Sequence, residues 1–200
     1  MITFGASSAH ARRTAFRAAL ARSGAPLRLP GALSPLVATL IEEIGFEGVY
    51  LSGGAFSAEL GMPDVGLTTI NEVAERASRI AASTRLPLVV DADTGFGEAL
   101  NVVRSVQMLE RAGVAGLHLE DQRNPKRCGH LGGKELVEAA EMERKVRAAA
   151  AGRIDDATLL IARTDARAVE GLDAAIERAQ AYVAAGADAI FPEALRNERE

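Results

Sequence analysis

The chain has 200 residues, 48% of them hydrophobic and 25% charged, with a formal net charge of −4. That is the size of one domain or most of one, long enough to bury a core and too apolar for a disordered chain. No apolar run approaches the roughly 18 residues of a membrane-spanning helix, and the acidic balance argues against general binding to nucleic acid or anionic membranes.

One cysteine, Cys128, excludes an intramolecular disulfide and fits a reducing compartment such as the cytoplasm. Tryptophan is absent and aromatics are 4%, so the core must come mainly from Ala, Val, Leu and Ile.

Residues 1–41 hold five arginines (Arg12, Arg13, Arg17, Arg22 and Arg28) and no acid. Such a start reads as an N-terminal helix of the fold, or as a transit peptide that would send the chain to the mitochondrial matrix. From there, short apolar runs alternate with Ala-rich stretches of helical period. Strands are predicted over 27–32, 48–54, 86–93, 116–121, 158–165 and 189–193. Helices are predicted over 35–44, closed by Gly45, and over 69–83, opened by a Thr69/Glu72 capping box. Further helices follow over 98–112, 134–151 and 172–185. Six βα units in strict alternation predict an α/β fold with a parallel sheet whose strands are buried on both faces.

Three segments share a template: 44–52, 112–120 and 185–193. Each begins with a helix-ending glycine, and a polar residue follows seven positions later: Ser52, Glu120 and Glu193. Strand side chains alternate, so Asp91 pairs with Asp93 on one face, His118 with Glu120, and Arg163 with Asp165. Polar groups therefore gather at strand C-termini, where (β/α) barrels and open doubly wound sheets alike place their sites.

Two phosphate motifs are set aside. Gly95-Phe96-Gly97 lacks the third glycine of a dinucleotide fingerprint, and Gly133-Lys134 lacks the upstream glycine of a P-loop. The acidic residues Asp64, Asp91, Asp93 and Glu120 are more informative. Carboxylates crowded at one mouth repel, and a hard divalent cation relieves that repulsion; the alternative is that each caps a helix or faces water. Cys128 lies between cationic Lys126 and Arg127 and the nearby His130, in a loop with Gly129, Gly132 and Gly133. Positive neighbours favour the thiolate, and a mobile loop suits an acid–base role better than a hydrolytic Cys–His dyad. Ser52-Gly53-Gly54 either brings backbone N–H groups to a ligand oxyanion or simply makes a tight turn. Arg163 can clamp a carboxylate or pair with Glu120 or Glu193.

SGG (52–54), GMPDVG (61–66), VDADTGFG (90–97), GLHLEDQ (116–122), PKRCGHLGGK (125–134), ARTDA (162–166) and FPEA (191–194) occur in this order. Together they resemble the isocitrate lyase/phosphoenolpyruvate mutase superfamily, and within it the branch that cleaves 2-methylisocitrate. The KRCGH loop is the specific element, marking the C–C bond lyases. The resemblance implies a (β/α)8 barrel, a magnesium or manganese ion, and retro-aldol cleavage to pyruvate and succinate. It implies that Asp91 and Asp93 bind the metal, with Asp64 and Glu120 supporting its water shell. Ser52, Gly53 and Gly54 would hold the keto-acid half. Cys128 would protonate the succinate carbanion, and Gly129 and His130 would lie beside the substrate carboxylates. Arg163 and Glu193 would complete the substrate shell. The implied partner is a small tricarboxylate, within a homo-oligomer that is a tetramer in the family. HLGGK also resembles the isocitrate-cleaving branch, so isocitrate or oxaloacetate is the alternative substrate, and a non-catalytic fragment is the alternative class.

Six units over 27–194 take about 28 residues each, so two more would bring the chain to roughly the 250 residues of an eight-stranded barrel. The expectation is a single domain over 1–200, about three quarters of a barrel.

Overall fold

The computed structural model describes residues 8–22 and 24–200. The chain runs α1 (Ala9–Leu20), α2 (Pro35–Ile44), β1 (Val49–Leu51), α3 (Gly53–Glu59) and α4 (Ile70–Ser83). It continues through β2 (Leu88–Asp91), α5 (Ala99–Arg111), β3 (Gly116–Glu120) and α6 (Ala139–Gly152). It ends with β4 (Leu159–Thr164), α7 (Ala166–Val169), α8 (Leu172–Ala184) and β5 (Ala189–Pro192). The strands form one parallel sheet in sequential order, β1 to β5. The α/β architecture of alternating helices and parallel strands is thus as expected, with five strands rather than six.

The missing strand is 27–32. Its backbone runs beside β1, with Tyr50 N–H donating to Pro30 O (3.0 Å) and Ala32 N–H donating to Tyr50 O (2.9 Å). It completes only the bridge Gly31–Tyr50, because Pro30 has no N–H to extend the ladder. Two other expectations also shift. The strand predicted over 48–54 ends at Leu51, and Ser52 caps α3 by accepting from Ala55 N–H (3.3 Å). The helix predicted from 134 begins at Ala139, because 135–137 is extended: Arg123 N–H donates to Glu135 O (2.8 Å) and Val137 N–H to Asp121 O (2.9 Å).

Where local chemistry is strong, the bounds follow it. Ser34 caps α2, Pro35 opens it, and Gly45 closes it in the left-handed region (φ 91°). Thr69 and Glu72 form both bonds of the capping box on α4, whose buried Val73, Ala77, Ile80 and Ala81 make its inner stripe.

Alternation divides each strand between two layers. Leu51, Val90, Leu117, Leu119, Leu160 and Ala162 join the helices in the main core. On the opposite face, Val89, Ala115 and Leu159 pack with Phe16 of α1 at the N-terminal ends of the strands. The polar residues Asp91, His118, Glu120 and Arg163 occupy that same face toward the C-terminal ends, matched by register (Asp91 with His118, Glu120 with Arg163).

Helix α1 is part of this fold. Arg13 donates to Val114 O (2.9 Å), Glu110 O (2.6 Å) and Asp155 Oδ2 (2.8 Å). Arg17 donates to Ala157 O (2.9 Å) and Asp188 Oδ2 (2.7 Å). Arg13 and Arg17 of the acid-free start are therefore fold anchors, and the part of the leader reading that concerns residues 1–7 lies outside the described residues. Among the described residues no helix is long and apolar enough to cross a membrane.

Candidate active site

Helix-ending glycines at 45, 113 and 186 all take positive φ, which turns the chain straight into β1, β3 and β5. This delivers Ser52, Glu120 and Glu193 to the same end of the sheet. A cavity of about 220 Å³ opens there. Of the residues singled out in the sequence, Ser52, Gly54, Asp64 and Asp91 line one side. Cys128, Gly129, His130, Arg163 and Glu193 line the other. Gly53, Asp93 and Glu120 lie outside the lining, tied to it through Asp91, Lys126 and Arg163 respectively.

The first glycine after Ser52 departs from the reading in which its N–H meets a ligand oxyanion. Gly53 N–H donates to Asp91 Oδ2 (3.1 Å), so it is already engaged by protein. A Cβ on Gly53 would stand 2.9 Å from Asp91 Oδ2, and one on Gly54 3.0 Å from Asp64 Oδ2. Both glycines let α3 close onto the acidic cluster.

Asp91 also accepts from Asp93 N–H through Oδ1 (3.0 Å). Lys126 reaches down from the Cys128 loop, almost wholly buried. Its ammonium contacts Asp64 Oδ1 and lies 2.7 Å from Asp93 Oδ1. Sequence reading had treated Lys126 only as a neighbour of the thiol; in the fold it is the counter-charge of the acids. Burial and the Asp91 charge push the Asp93 carboxyl up to about 6, against the pull of Lys126. Burial lifts Glu120 well above the usual carboxylate range, with Arg163 opposing. Burial also disfavours the Asp91 anion, but the positive groups around it and the Asp93 N–H outweigh this and hold it low.

Glu120 Oε1 is a buried acceptor with no hydrogen-bond partner among the described residues, and Asp93 Oδ1 is met only by the Lys126 ammonium. An orphaned oxygen on one crowded carboxyl, beside a second whose pKa is also raised, is the chemistry a divalent cation relieves. No cluster of three or more His, Cys, Asp or Glu of metal-binding geometry occurs among the described residues. The carboxylates fit a divalent cation held by one or two of them and completed by water and substrate.

Arg163 is fixed from three sides. It donates to Asp165 through Nε (3.0 Å) and Nη2 (3.2 Å), lies 3.4 Å from Glu120 and 3.6 Å from Glu193, and stacks over Phe191 at 5.3 Å. The reading of Arg163 as paired with Glu120 and Glu193 holds, and the guanidinium also lines the cavity. Tyr50 and His118 were not assigned a role, yet Tyr50 OH and His118 Nε2 lie 2.9 Å apart, and burial holds His118 low and so neutral. Their place on the polar face was readable from alternation alone.

The Cys128 loop crosses the cavity mouth. Gln122 clamps it, Nε2 donating to Arg127 O and Oε1 accepting from Arg127 N–H, both at 2.9 Å. Cys128 is a free, half-buried thiol. It also borders a second, more apolar hollow of about 280 Å³ beside Val65, Pro125 and Leu131. His130 stands at the rim, its side chain 87% exposed and 3.9 Å from Glu193. The site can therefore hold an anionic ligand on Arg163, place a thiol above it, and gather carboxylates at its base.

The family model for phosphoenolpyruvate phosphomutase matches residues 16–200. A probable 2-methylisocitrate lyase 1 of Corynebacterium glutamicum is 60% identical over 191 residues, 94% of this chain and 62% of that protein. The crystal structure of 2,3-dimethylmalate lyase is similar with a TM-score of 0.88 and 34% identity, covering 98% of this chain and 65% of the other. The phosphonopyruvate hydrolase complex with oxalate and Mg++ gives a TM-score of 0.85 and 37% identity, covering 94% of this chain and 65% of the other. The chain spans about three fifths of the length of the curated relatives it matches.

Proposed function

The chain belongs to the phosphoenolpyruvate phosphomutase family, and we propose that its site performs the C–C bond cleavage of 2-methylisocitrate to pyruvate and succinate. The observation that carries the proposal is the convergence of a thiol, an arginine and a carboxylate cluster on one cavity of about 220 Å³. The relative at 60% identity bears the name of this activity.

Arg163 takes a substrate carboxylate by a charge-assisted pair, and Phe191 beneath the guanidinium fixes its plane. Ser52 and Gly54 receive the keto-acid half, while Gly53 keeps Asp91 in place. As the bond between the carbinol carbon and the succinate carbon breaks, the alcohol proton passes to a carboxylate lining the cavity and the pyruvate carbonyl forms; that proton returns through water to the Cys128 thiolate when the products leave. The bond's electron pair stays on the succinate carbon, and the Cys128 S–H proton ends there. Asp91 and Asp93 would hold magnesium or manganese, with Asp64 and Glu120 against its water shell. When bound, that ion stabilises negative charge on the substrate oxygens. Glu193 and His130 sit where the second carboxylate region closes, and the loop excludes water. A homo-oligomer of family type and a cytoplasmic setting, where a lone thiol stays reduced, belong to the same reading.

The test is direct. Purified protein with 2-methylisocitrate and magnesium should release pyruvate and succinate in equal amounts. Turnover of isocitrate or oxaloacetate, with none of 2-methylisocitrate, overturns the substrate assignment. No turnover of any of the three by the folded protein overturns the enzymatic reading.

A further inference from the structure

Lys134 ends the glycine-bearing loop, with its side chain only 2% exposed. Its ammonium donates to the Gly129 carbonyl and to Asp165 Oδ1 (2.8 Å). Residues 130–133 between the two are all exposed, so Gly129 and Lys134 are where this arm of the loop meets the barrel. Asp165 is itself fully buried. Its carboxylate also holds Arg163 through two hydrogen bonds, and its N–H donates to Asp121 Oδ1 (2.9 Å). Asp121 in turn accepts from Thr164 (2.7 Å) and Tyr182 (2.9 Å). The Lys134 ammonium thus reaches from a rigid network in the strands to the carbonyl of the residue directly after Cys128. On the other side of Cys128, Gln122 holds the peptide of Arg127. The thiol sits between two pinned peptides.

We propose that Lys134 is a positioning residue: it latches the Cys128 loop over the cavity by joining the Gly129 carbonyl to the Asp165 carboxylate that orients Arg163. The proposal rests on the reading of Cys128 as the proton donor for its catalytic consequence, but the latch itself is measurable without turnover. A methionine at 134 fills similar space and makes neither hydrogen bond. Glutamine keeps donors without the charge and carries the test if the methionine variant does not fold. Arginine restores the cation.

The experiment compares the full chain with Lys134→Met, Lys134→Gln and Lys134→Arg by peptide-resolved amide hydrogen exchange and by the rate of Cys128 alkylation with iodoacetamide. The expected result is at least a tenfold rise in alkylation, and faster exchange confined to 127–133, in the Met and Gln variants. Arg should recover most of the protection. In the cleavage assay, kcat should fall about tenfold with KM nearly unchanged. Unchanged alkylation and exchange overturn the latch. Exchange that also rises through α6 and β4 overturns it too, because Lys134 would then be a general structural support. Cys128→Ser separates the two ideas: full turnover in that variant sinks the thiol acid and leaves the exchange measurement on Lys134 standing.

Discussion

Gly129→Ala isolates how closely the loop must approach the arginine. Gly129 is buried and its φ is not positive, so alanine is permitted by the backbone. The added Cβ would stand 2.4 Å from Arg163 Nη2, 2.6 Å from Glu193 Cδ and 2.7 Å from Glu193 Oε1. Relief to ordinary contact requires a movement of about 1 Å by the loop or by the guanidinium. A misplacement of that size costs on the order of 10²-fold in rate, equivalent to about 2.7 kcal/mol of transition-state stabilisation. Gly132→Ala is the internal control. It lies in the same loop, is exposed, and nothing stands within 4 Å of its added Cβ. Steady-state cleavage of 2-methylisocitrate, followed by pyruvate release, should show Gly129→Ala down by about 10² and Gly132→Ala within about twofold of the parent. Parent-like kcat in Gly129→Ala, or an equal loss in both variants, would refute the claim that loop-to-arginine contact limits the reaction.

Cys128→Ser should lower turnover by about 10²-fold or more, the usual worth of a positioned acid, while oxalate and magnesium binding measured by calorimetry persists. Asp93 carries a carboxyl raised to about 6, so between its unfolded value and that pH the native state holds the extra proton. Its contribution is full below the unfolded value and is lost as pH rises toward about 6. Urea melts from pH 4 to 7 should show that downward slope, on the order of 3 kcal/mol, shrinking in Asp93→Asn; an identical slope in the variant contradicts the assignment. Phe16→Ala opens the packed N-terminal end of the sheet beside Val89, Ala115 and Leu159. It should cost about 3–5 kcal/mol in a denaturant melt, and a loss below about 1 kcal/mol would mean α1 is not part of the cooperative core.

Elements with strong local chemistry are legible in the sequence. Ser34, Pro35 and Gly45 bound α2, and Thr69 with Glu72 starts α4, because caps are decided within a few residues. Alternation placed Asp91, Glu120 and Arg163 on one polar face, and the glycine-plus-seven spacing brought Ser52, Glu120 and Glu193 to one end. Features decided by distant partners were not readable. Residues 135–137 carry a helical pattern but pair as extended chain with Asp121 and Arg123. Ser52-Gly53-Gly54 reads as the end of a strand, yet Asp91, 38 residues on, draws Gly53 N–H into the start of a helix. The ammonium of Lys126 meets Asp64 across 62 residues, and no local signal announces that pair. Lys134 stood inside a recognised motif, but its partner Asp165 lies 31 residues away.

The anchoring of α1 bears on how the protein is made. Arg13 finds its carboxylate at Asp155, and Arg17 finds one at Asp188, 171 positions later. At about 5–20 residues per second of synthesis, roughly 10–30 s separate the emergence of Arg17 from that of its partner. Through that interval the docking site of this helix is incomplete, lacking first Asp155 and then Asp188, and its arginines keep it solvated. An acid-free stretch, which in isolation resembles an address label, here carries a helix whose arginines find their counter-charges 142 and 171 positions further on. The helix therefore settles fully against the sheet only after those distant carboxylates have emerged.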